Sequence, residues 1–352
     1  MLRFGTYEQS YPRNMQVLAC LRGAGVAVVE HHEPVWEELR HKFSAGPATL
    51  ARIGAAQLRL LRRPRPQFDL VLVPYPGHLD VSAARRVAGT RPLVFDPLVS
   101  LVDTFVADRG RFRAGSFAAR LLETIDRRAL RSADLVIADT EAHARYFTEL
   151  GGLPADRVAV CRVGAEERLF RPSRAPVEPF TALFVGKLIP LHGVETILEA
   201  ARLAPDLHLR IVGSGQLERA LVHRPPNVEW VPWLPYEELP AALRCAGCAL
   251  GIFGTSEKAS RVVPNKAYQA LACGVPLVSA DTPAARELLV DGESALLVPA
   301  GDPRALADAL VRLAREPELA RRLGEGGLAV FREHASEAVL GRRWRALLEP
   351  LL

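Results

Sequence analysis

What most limits the fold of this chain is a twice-repeated alternation of short apolar runs with amphipathic stretches of helical period. Runs this short and this continuously apolar suit strands covered on both faces, and the intervening helices are the cover. In the first half the expected strands are Leu2–Gly5, Ala27–Glu30, Asp69–Val73, Leu93–Phe95, Leu135–Ala138 and Val158–Cys161. The helices between them include Asn14–Arg22, Ala114–Arg131 and Glu141–Leu150. A second series follows at Thr181–Val185, Leu207–Val212, Val228–Val231, Ala249–Ile252, Pro276–Ser279 and Ala295–Val298. Its helices include Val194–Leu203, Lys266–Ala272, Pro303–Arg315 and Pro317–Phe331. Strands that alternate with helices pair in parallel, so each series predicts a doubly wound α/β sheet.

The predicted organisation is an N-terminal Rossmann-like domain over 1–170, a linker over 171–179 and a second Rossmann-like domain over 180–330, with a cleft between the domains. Pro172, Pro176 and Pro179 mark the linker. The 352 residues are enough for two cores without disulfide or metal staples. Five cysteines, an odd and sparse set, read as reduced thiols. No run of 18 apolar residues is present, which predicts no membrane-spanning helix. The opening MLRFGTYEQSYPRN lacks the apolar core of a secretion signal, so a cytoplasmic protein is expected. Basic residues comprise 41 Arg and 4 Lys, and the whole excess of +5 falls within residues 1–170. The arginine excess reads as codon bias. The rare lysines are informative by where they survive.

Ligands of open α/β sheets bind outside the carboxyl ends of the strands, so the loops there are the candidates. The first is Gly186–Gly193, with Lys187 at the strand end and His192 at the start of the next helix, where free N–H groups suit a phosphate. The second runs from Arg261 to Pro276. Asn265 reads as an N-cap, Lys266 lies in the first turn against the helix dipole, and Gln269 follows one turn later. An anion would offset the lysine's misfit with the dipole; an ordinary capped helix is the plainer alternative. Lys187, Lys258 and Lys266, three of the four lysines, fall in or beside these loops, which favours an oligophosphate ligand. The third loop, Gly213-Ser214-Gly215, is a short glycine turn without the remaining features of a dinucleotide fingerprint. In the first domain, the loops after the strands offer Arg13, Asn14, Tyr75, His78, Asp96 and Asp103.

At these residues the chain resembles a retaining GT-B-fold glycosyltransferase of the family 4, or group 1, type. The resemblance is carried by FVGKLIPLHGVETILEAARL, LRIVGSG, VEWVPWLP, GIFGTSEKASRVVPNKAYQALACGVPLVSAD and DGESALLVPAGDPRALADAL, in family order over 181–310. DPLVSLVDTFVADRG, SADLVIADT and VGAEERLFRP extend it more loosely into the first domain. The resemblance implies that a sugar moves with retention from a nucleotide diphospho-sugar to an acceptor. It assigns the donor to the second domain, on Gly186, His192, Gly213, Glu257, Arg261, Asn265 and Gln269. Lys187 and Lys266 would stabilise the leaving diphosphate. His192 stands where many members have a second lysine, and neutral histidine still donates from one nitrogen. Gln269 stands where many have a ribose-binding glutamate, and Arg261 where they have an acid, with Glu257 one turn earlier. Asp96 is the candidate acceptor-side base, joined on that side by Arg13, Asn14, Tyr75, His78 and Asp103. The segment 331–352 would be a C-terminal helix packing back toward the N-terminal domain.

No metal site and no cofactor are expected beyond the donor substrate. Cys245 and Cys248 form a lone CxxC that reads as core. From Leu39 to Phe68 there are seven basic residues and no acid, and Leu50, Ile53, Leu60 and Leu61 are expected on one side with Arg52, Arg59 and Arg63 opposite. A helix of that kind over 49–66 suits peripheral contact with an anionic membrane, at the inner face of the plasma membrane, and a lipid-linked or polysaccharide precursor of the cell envelope as acceptor. No aromatic interleaving or motif points to nucleic acid. The competing class is a non-catalytic GT-B protein that binds a nucleotide sugar or a partner glycosyltransferase, for which the missing acidic pair argues.

Overall fold

A computed structural model describes residues 1–37, 46–172 and 179–352. The chain forms two compact units, each built on one six-stranded parallel sheet. Unit 1 comprises 1–106, 110–162 and 337–352; unit 2 comprises 107–109 and 163–336.

In unit 1 the strands are β1 Leu2–Gly5, β2 Val29–His32, β3 Val71–Val73, β4 Leu93–Phe95, β5 Leu135–Ala138 and β6 Val158–Val160, in the order β2-β1-β3-β4-β5-β6. The helices between them are α1 Pro12–Gly23, α2 Pro47–Arg62, α3 Val81–Ala88, α4 Phe117–Ser132 and α5 Glu141–Gly151. β2 lies two residues later than expected, because its parallel ladder with β1 runs from Leu2–Val29 to Gly5–His32. One face of the sheet packs Phe4, Val73 and Phe95 against Leu60 of α2, Val81 and Val87 of α3, Leu130 of α4 and Phe147 of α5.

Unit 2 repeats the plan with β7 Thr181–Val185, β8 His208–Val212, β9 Val228–Val231, β10 Cys248–Leu250, β11 Leu277–Ala280 and β12 Leu296–Val298, ordered β12-β11-β10-β7-β8-β9. Its helices are α6 Val194–Leu203, α7 Leu239–Arg244, α8 Glu257–Arg261, α9 Asn265–Ala272, α10 Pro283–Arg286, α11 Pro303–Arg315 and α12 Pro317–His334. Phe184, Ile197, Leu250, Phe253 and Leu310 lie in its core.

Two boundaries differ from the expectation. Residues 163–170 belong to unit 2, where Phe170 stacks edge-on against Tyr236 at 5.7 Å. Of the expected linker, residues 173–178 lie outside the described residues. The expected C-terminal helix starting at 331 is instead two helices. α12 continues to His334, the backbone breaks at Ala335, and α13 spans Glu337–Leu348. α13 belongs to unit 1, where Leu340, Trp344 and Leu348 pack with Val17, Cys20 and Leu21 of α1. Gly341 permits this close approach, since a Cβ there would stand 2.7 Å from the Cys20 carbonyl oxygen.

Trp344 is wholly buried in that contact. We expect Trp344→Ala to lower the stability of unit 1 by about 3–5 kcal/mol in urea denaturation, as for other large-to-small core changes. Leu352→Ala, at an exposed position, is the near-neutral control.

Candidate functional site

In unit 2, three loops meet at the carboxyl ends of β7 and β8. Gly213 (φ +142°) follows β8, and a Cβ there would fall 1.9 Å from the Gly186 carbonyl oxygen. Only glycine lets these two loop backbones touch. The contact is held by Gly186 N–H to Val212 O at 2.9 Å and Leu188 N–H to Ser214 O at 3.0 Å. Trp230 of β9 adds a bond from its indole nitrogen to the Gly213 carbonyl, at 2.9 Å.

Gly186 (φ +150°) also leaves room for two side chains. A Cβ there would lie 2.9 Å from Lys266 Nζ and 3.2 Å from His192 Cε1. Lys266 enters from the first turn of α9, and its Nζ sits 3.6 Å from the centroid of the Phe184 ring. That ammonium is buried without a hydrogen-bond partner among the described residues. Burial pushes it well below the ordinary lysine range. The aromatic face supplies part of what solvent would have given, and no carboxylate supplies the rest.

His192 lies in a 3₁₀ turn, Pro190–His192, with its ring edge-on to Phe184 at 5.5 Å. Its Nδ1 bonds the Lys187 carbonyl. A carbonyl only accepts, so Nδ1 carries the proton. Burial, followed by Lys266, Arg109 and Lys258, holds the ring well below the usual histidine range, against the pull of the Lys187 carbonyl. The neutral ring therefore presents a bare Nε2. This corrects the expectation that neutral His192 donates to a phosphate, because its single N–H is already engaged.

The structure brings Gly186, Gly213, His192 and Lys266 into one cluster. Lys187 is exposed at the end of β7. Asn265 is not the N-cap of α9. Pro264 holds that place, no side chain caps the helix, and Asn265 is its first residue. Gln269 is buried near the Tyr236 phenol, which burial and then Glu166 push up to about 12. Glu257 and Arg261 form an i,i+4 ion pair at 3.2 Å on α8, with the Glu257 side chain 87% exposed.

In unit 1 each acceptor-side candidate makes contacts within the fold. Asp96 follows β4 and is gripped by Arg13 of α1 through Nε–Oδ2 at 3.0 Å and Nη2–Oδ1 at 3.2 Å. Arg13 also donates to the carbonyls of Arg162 (2.6 Å) and Cys161 (3.1 Å). Both side chains are buried. This counts against the reading of Asp96 as a base, since both its oxygens already accept from the Arg13 guanidinium. Asn14 donates to the carbonyls of Glu8 and Tyr75, each at 2.7 Å, and Tyr75 stacks on Tyr11 at 4.7 Å. His78 Nε2 lies 3.3 Å from Asp126. Asp103 is buried, and its N–H donates to Ser100 Oγ at 3.1 Å.

Sequence reasoning missed three acids that order these loops. Asp126 of α4 accepts from Ser100 Oγ and from the N–H groups of Leu101 and Val102, at 2.7–2.9 Å. Asp80 accepts from Thr6 N–H and Oγ at 2.7 and 2.9 Å. Asp139 holds His143 Nδ1 at 2.6 Å. The first two pairings span 24 or more residues and leave no local signal. The Asp139–His143 pair is an i,i+4 spacing and was visible in principle. Among the described residues, no group of three or more His, Cys, Asp or Glu is placed to hold a metal ion.

Two family models match the chain: a glycosyl transferase 4-like domain over residues 4–164 and glycosyl transferases group 1 over 179–316. The chain is 29% identical over 244 residues to a D-inositol 3-phosphate glycosyltransferase of Thermomonospora curvata, covering 60% of this chain and 56% of that one. It is 36% identical over 164 residues to a phosphatidyl-myo-inositol mannosyltransferase of Mycobacterium leprae, covering 44% and 42%. The matches thus span about half the length of these curated relatives. Among solved structures it is similar to sucrose-phosphate synthase of Thermosynechococcus elongatus (TM-score 0.75, 18% identity, covering 99% and 98%). It is also similar to the Anabaena HepE protein in complex with UDP-glucose (TM-score 0.70, 15% identity, covering 99% of each). Both likenesses are of fold.

Breaking the Arg13–Asp96 pair from one side leaves a buried charge without its partner. We expect Asp96→Leu to cost about 3–5 kcal/mol in urea denaturation, and Arg13→Met/Asp96→Leu to recover most of it. A base that contacted substrate would instead lose turnover in a protein of undiminished stability.

Proposed function

The chain belongs to the group 1 glycosyltransferases of GT-B fold, and on that premise we propose that it moves a sugar with retention from a nucleotide diphospho-sugar to a sugar or lipid-linked acceptor. The observation that carries the donor half is the buried Lys266 ammonium with no acceptor. Such a charge is costly in the empty protein, and a diphosphate oxygen is the partner that would offset the cost. Gly186, lacking a Cβ, leaves room beside it for the Lys266 ammonium and the His192 ring.

On this reading Lys266 and Lys187 carry the charge that develops on the leaving nucleoside diphosphate. His192 becomes a second cation once an anion screens it from Lys266, and its Nε2–H then donates. Gln269, near Tyr236, would face the ribose hydroxyls, while Asn265, Glu257 and Arg261 line the sugar side. The reaction uses no cofactor and no metal; the nucleotide sugar is the donor substrate. UDP-sugars are the first donors to try, given the UDP-glucose bound by HepE. Phosphorylated or lipid-linked inositols are the first acceptors, given the names of the relatives. With no acid on α2, residues 49–66 suit contact with an anionic membrane presenting a lipid-linked acceptor.

Thermal shift with UDP-, GDP-, ADP-, CMP- and dTDP-sugars tests the donor half. We expect one nucleotide class to stabilise the protein by about 2.7 kcal/mol at a hundredfold excess over Kd. Lys266→Met should weaken that binding by about tenfold to a hundredfold, the worth of one charged hydrogen bond. A flat panel on folded protein would favour the non-catalytic reading.

Lys266 also sets a sign for pH. Its folded pKa lies below its unfolded one, so the unfolded chain takes the proton first. The empty protein therefore loses stability as pH falls from the ordinary lysine value toward the depressed one. Lys266→Met should then raise the stability of the empty protein, on the order of 1–3 kcal/mol, while weakening donor binding. Donor affinity of the wild type should weaken as pH rises above the depressed value, because the bound anion holds a proton that the empty site sheds. Calorimetric titration across pH reads both changes.

A further inference from the structure

Away from these sites, the surface of unit 1 carries an anomaly. Phe117 and Leu121, one turn apart at the start of α4, are 84% and 49% exposed. An aromatic ring left this open on a folded surface marks an interaction site more often than an accident when other apolar groups adjoin it. Arg113 and Arg120 flank the pair, are exposed, and make no ion pair among the described residues. From Arg109 to Leu122 the chain has four arginines and no acid.

α2 shows the same combination. The expected face was Leu50 with Ile53 and Leu60, but the structure separates them. Ile53, Ala56 and Leu60 turn to the core, while Leu50 and Leu58 are 53% and 55% exposed. From Pro47 to Phe68 there are five arginines and no acid; Arg59 and Arg63 pair with Glu33 from outside the helix. α3 packs against both α2 and α4, so the two belong to one helical layer on one face of the sheet. Helices in such a layer run against the strands. The first turns of α2 and α4 therefore both lie at the carboxyl end of the sheet, where the acceptor side is proposed.

We propose that this layer docks on an anionic phospholipid surface, with Phe117, Leu121, Leu50 and Leu58 entering the headgroup–acyl boundary and Arg113 and Arg120 meeting lipid phosphates. The inference rests on the membrane contact suggested for 49–66 and adds α4 to it. The chemistry selects this occupant. A second copy of the chain would bring two arginine-bearing faces of like net charge together. Nucleic acid would engage the arginines but gives aliphatic Leu50, Leu58 and Leu121 nothing to enter. An anionic bilayer satisfies both parts at once.

The test is co-sedimentation of the full chain with phosphatidylcholine vesicles, with and without phosphatidylglycerol. We expect binding only with phosphatidylglycerol, weakening as salt rises. Arg113→Gln/Arg120→Gln should lower partitioning by about fivefold per arginine. Phe117→Ser/Leu121→Ser should lower it by about tenfold or more, and Leu50→Ser/Leu58→Ser should do likewise. Nucleotide-sugar thermal shift on the same variants should match the wild type, which separates this surface from the donor reading and from misfolding. Several outcomes overturn the proposal: no sedimentation with either vesicle, equal binding to neutral vesicles, or binding that the Phe117/Leu121 variant leaves intact. So does self-association, seen by light scattering, that this variant abolishes.

Discussion

Parallel pairing is the constraint from which the rest of this structure follows. A parallel ladder cannot be closed by a tight turn, so every strand must be followed by a crossover, and here helices supply nearly all of them. The crossovers bury both faces of each sheet and bring all strand carboxyl ends to one edge. They also bring helix N-termini to that edge, as with α1 after β1 and α9 after β10. The glycines at 186 and 213 refine this arrangement. Without them the loops after β7 and β8 could not touch, and Lys266 would have no space above Phe184.

The two units treat buried charge in opposite ways. Unit 1 compensates it. Arg13 is matched by Asp96 and two carbonyls, His78 faces Asp126, and His143 faces Asp139. Such pairs add little net stability, but removing one partner is costly, so they lock the loops after β1, β4 and β5 in place. Among the described residues, unit 2 leaves Lys266 without a hydrogen-bond partner, and burial, then Lys266, Arg109 and Lys258, depress His192. A buried cation left uncompensated suits an anionic ligand. On the proposed reading, the same residues reduce the stability of the empty protein and supply its chemistry.

Legibility from sequence followed the range of each interaction. The strands were readable because burial on both faces writes a continuous apolar run. The donor cluster was readable because lysine is so rare that its placement at strand ends stood out. His192 was found, but its state was not, since that depends on the Lys187 carbonyl and on Lys266, 74 residues away in the chain. Asp96 was illegible for the same reason. Its partner Arg13 is 83 residues earlier, and nothing local distinguishes a paired carboxylate from a poised one. On α2 the helical wheel placed Leu50 with Ile53 and Leu60; packing against Val35 and Trp36 decided which of them reach the core.

By itself, then, the sequence determined the class of fold, the doubling of the sheet and the loops proposed to bind an anion. All of these are written in periodicity and in residue types at strand ends. Only the tertiary structure decided which charges are spent on one another, which nitrogen of His192 is free, that α13 completes unit 1, and that α2 and α4 share one exposed apolar and basic layer. The reason is physical. Periodicity reports which face of an element is buried, whereas the protonation and pairing of a side chain depend on neighbours brought close by folding, and those neighbours lie far along the chain.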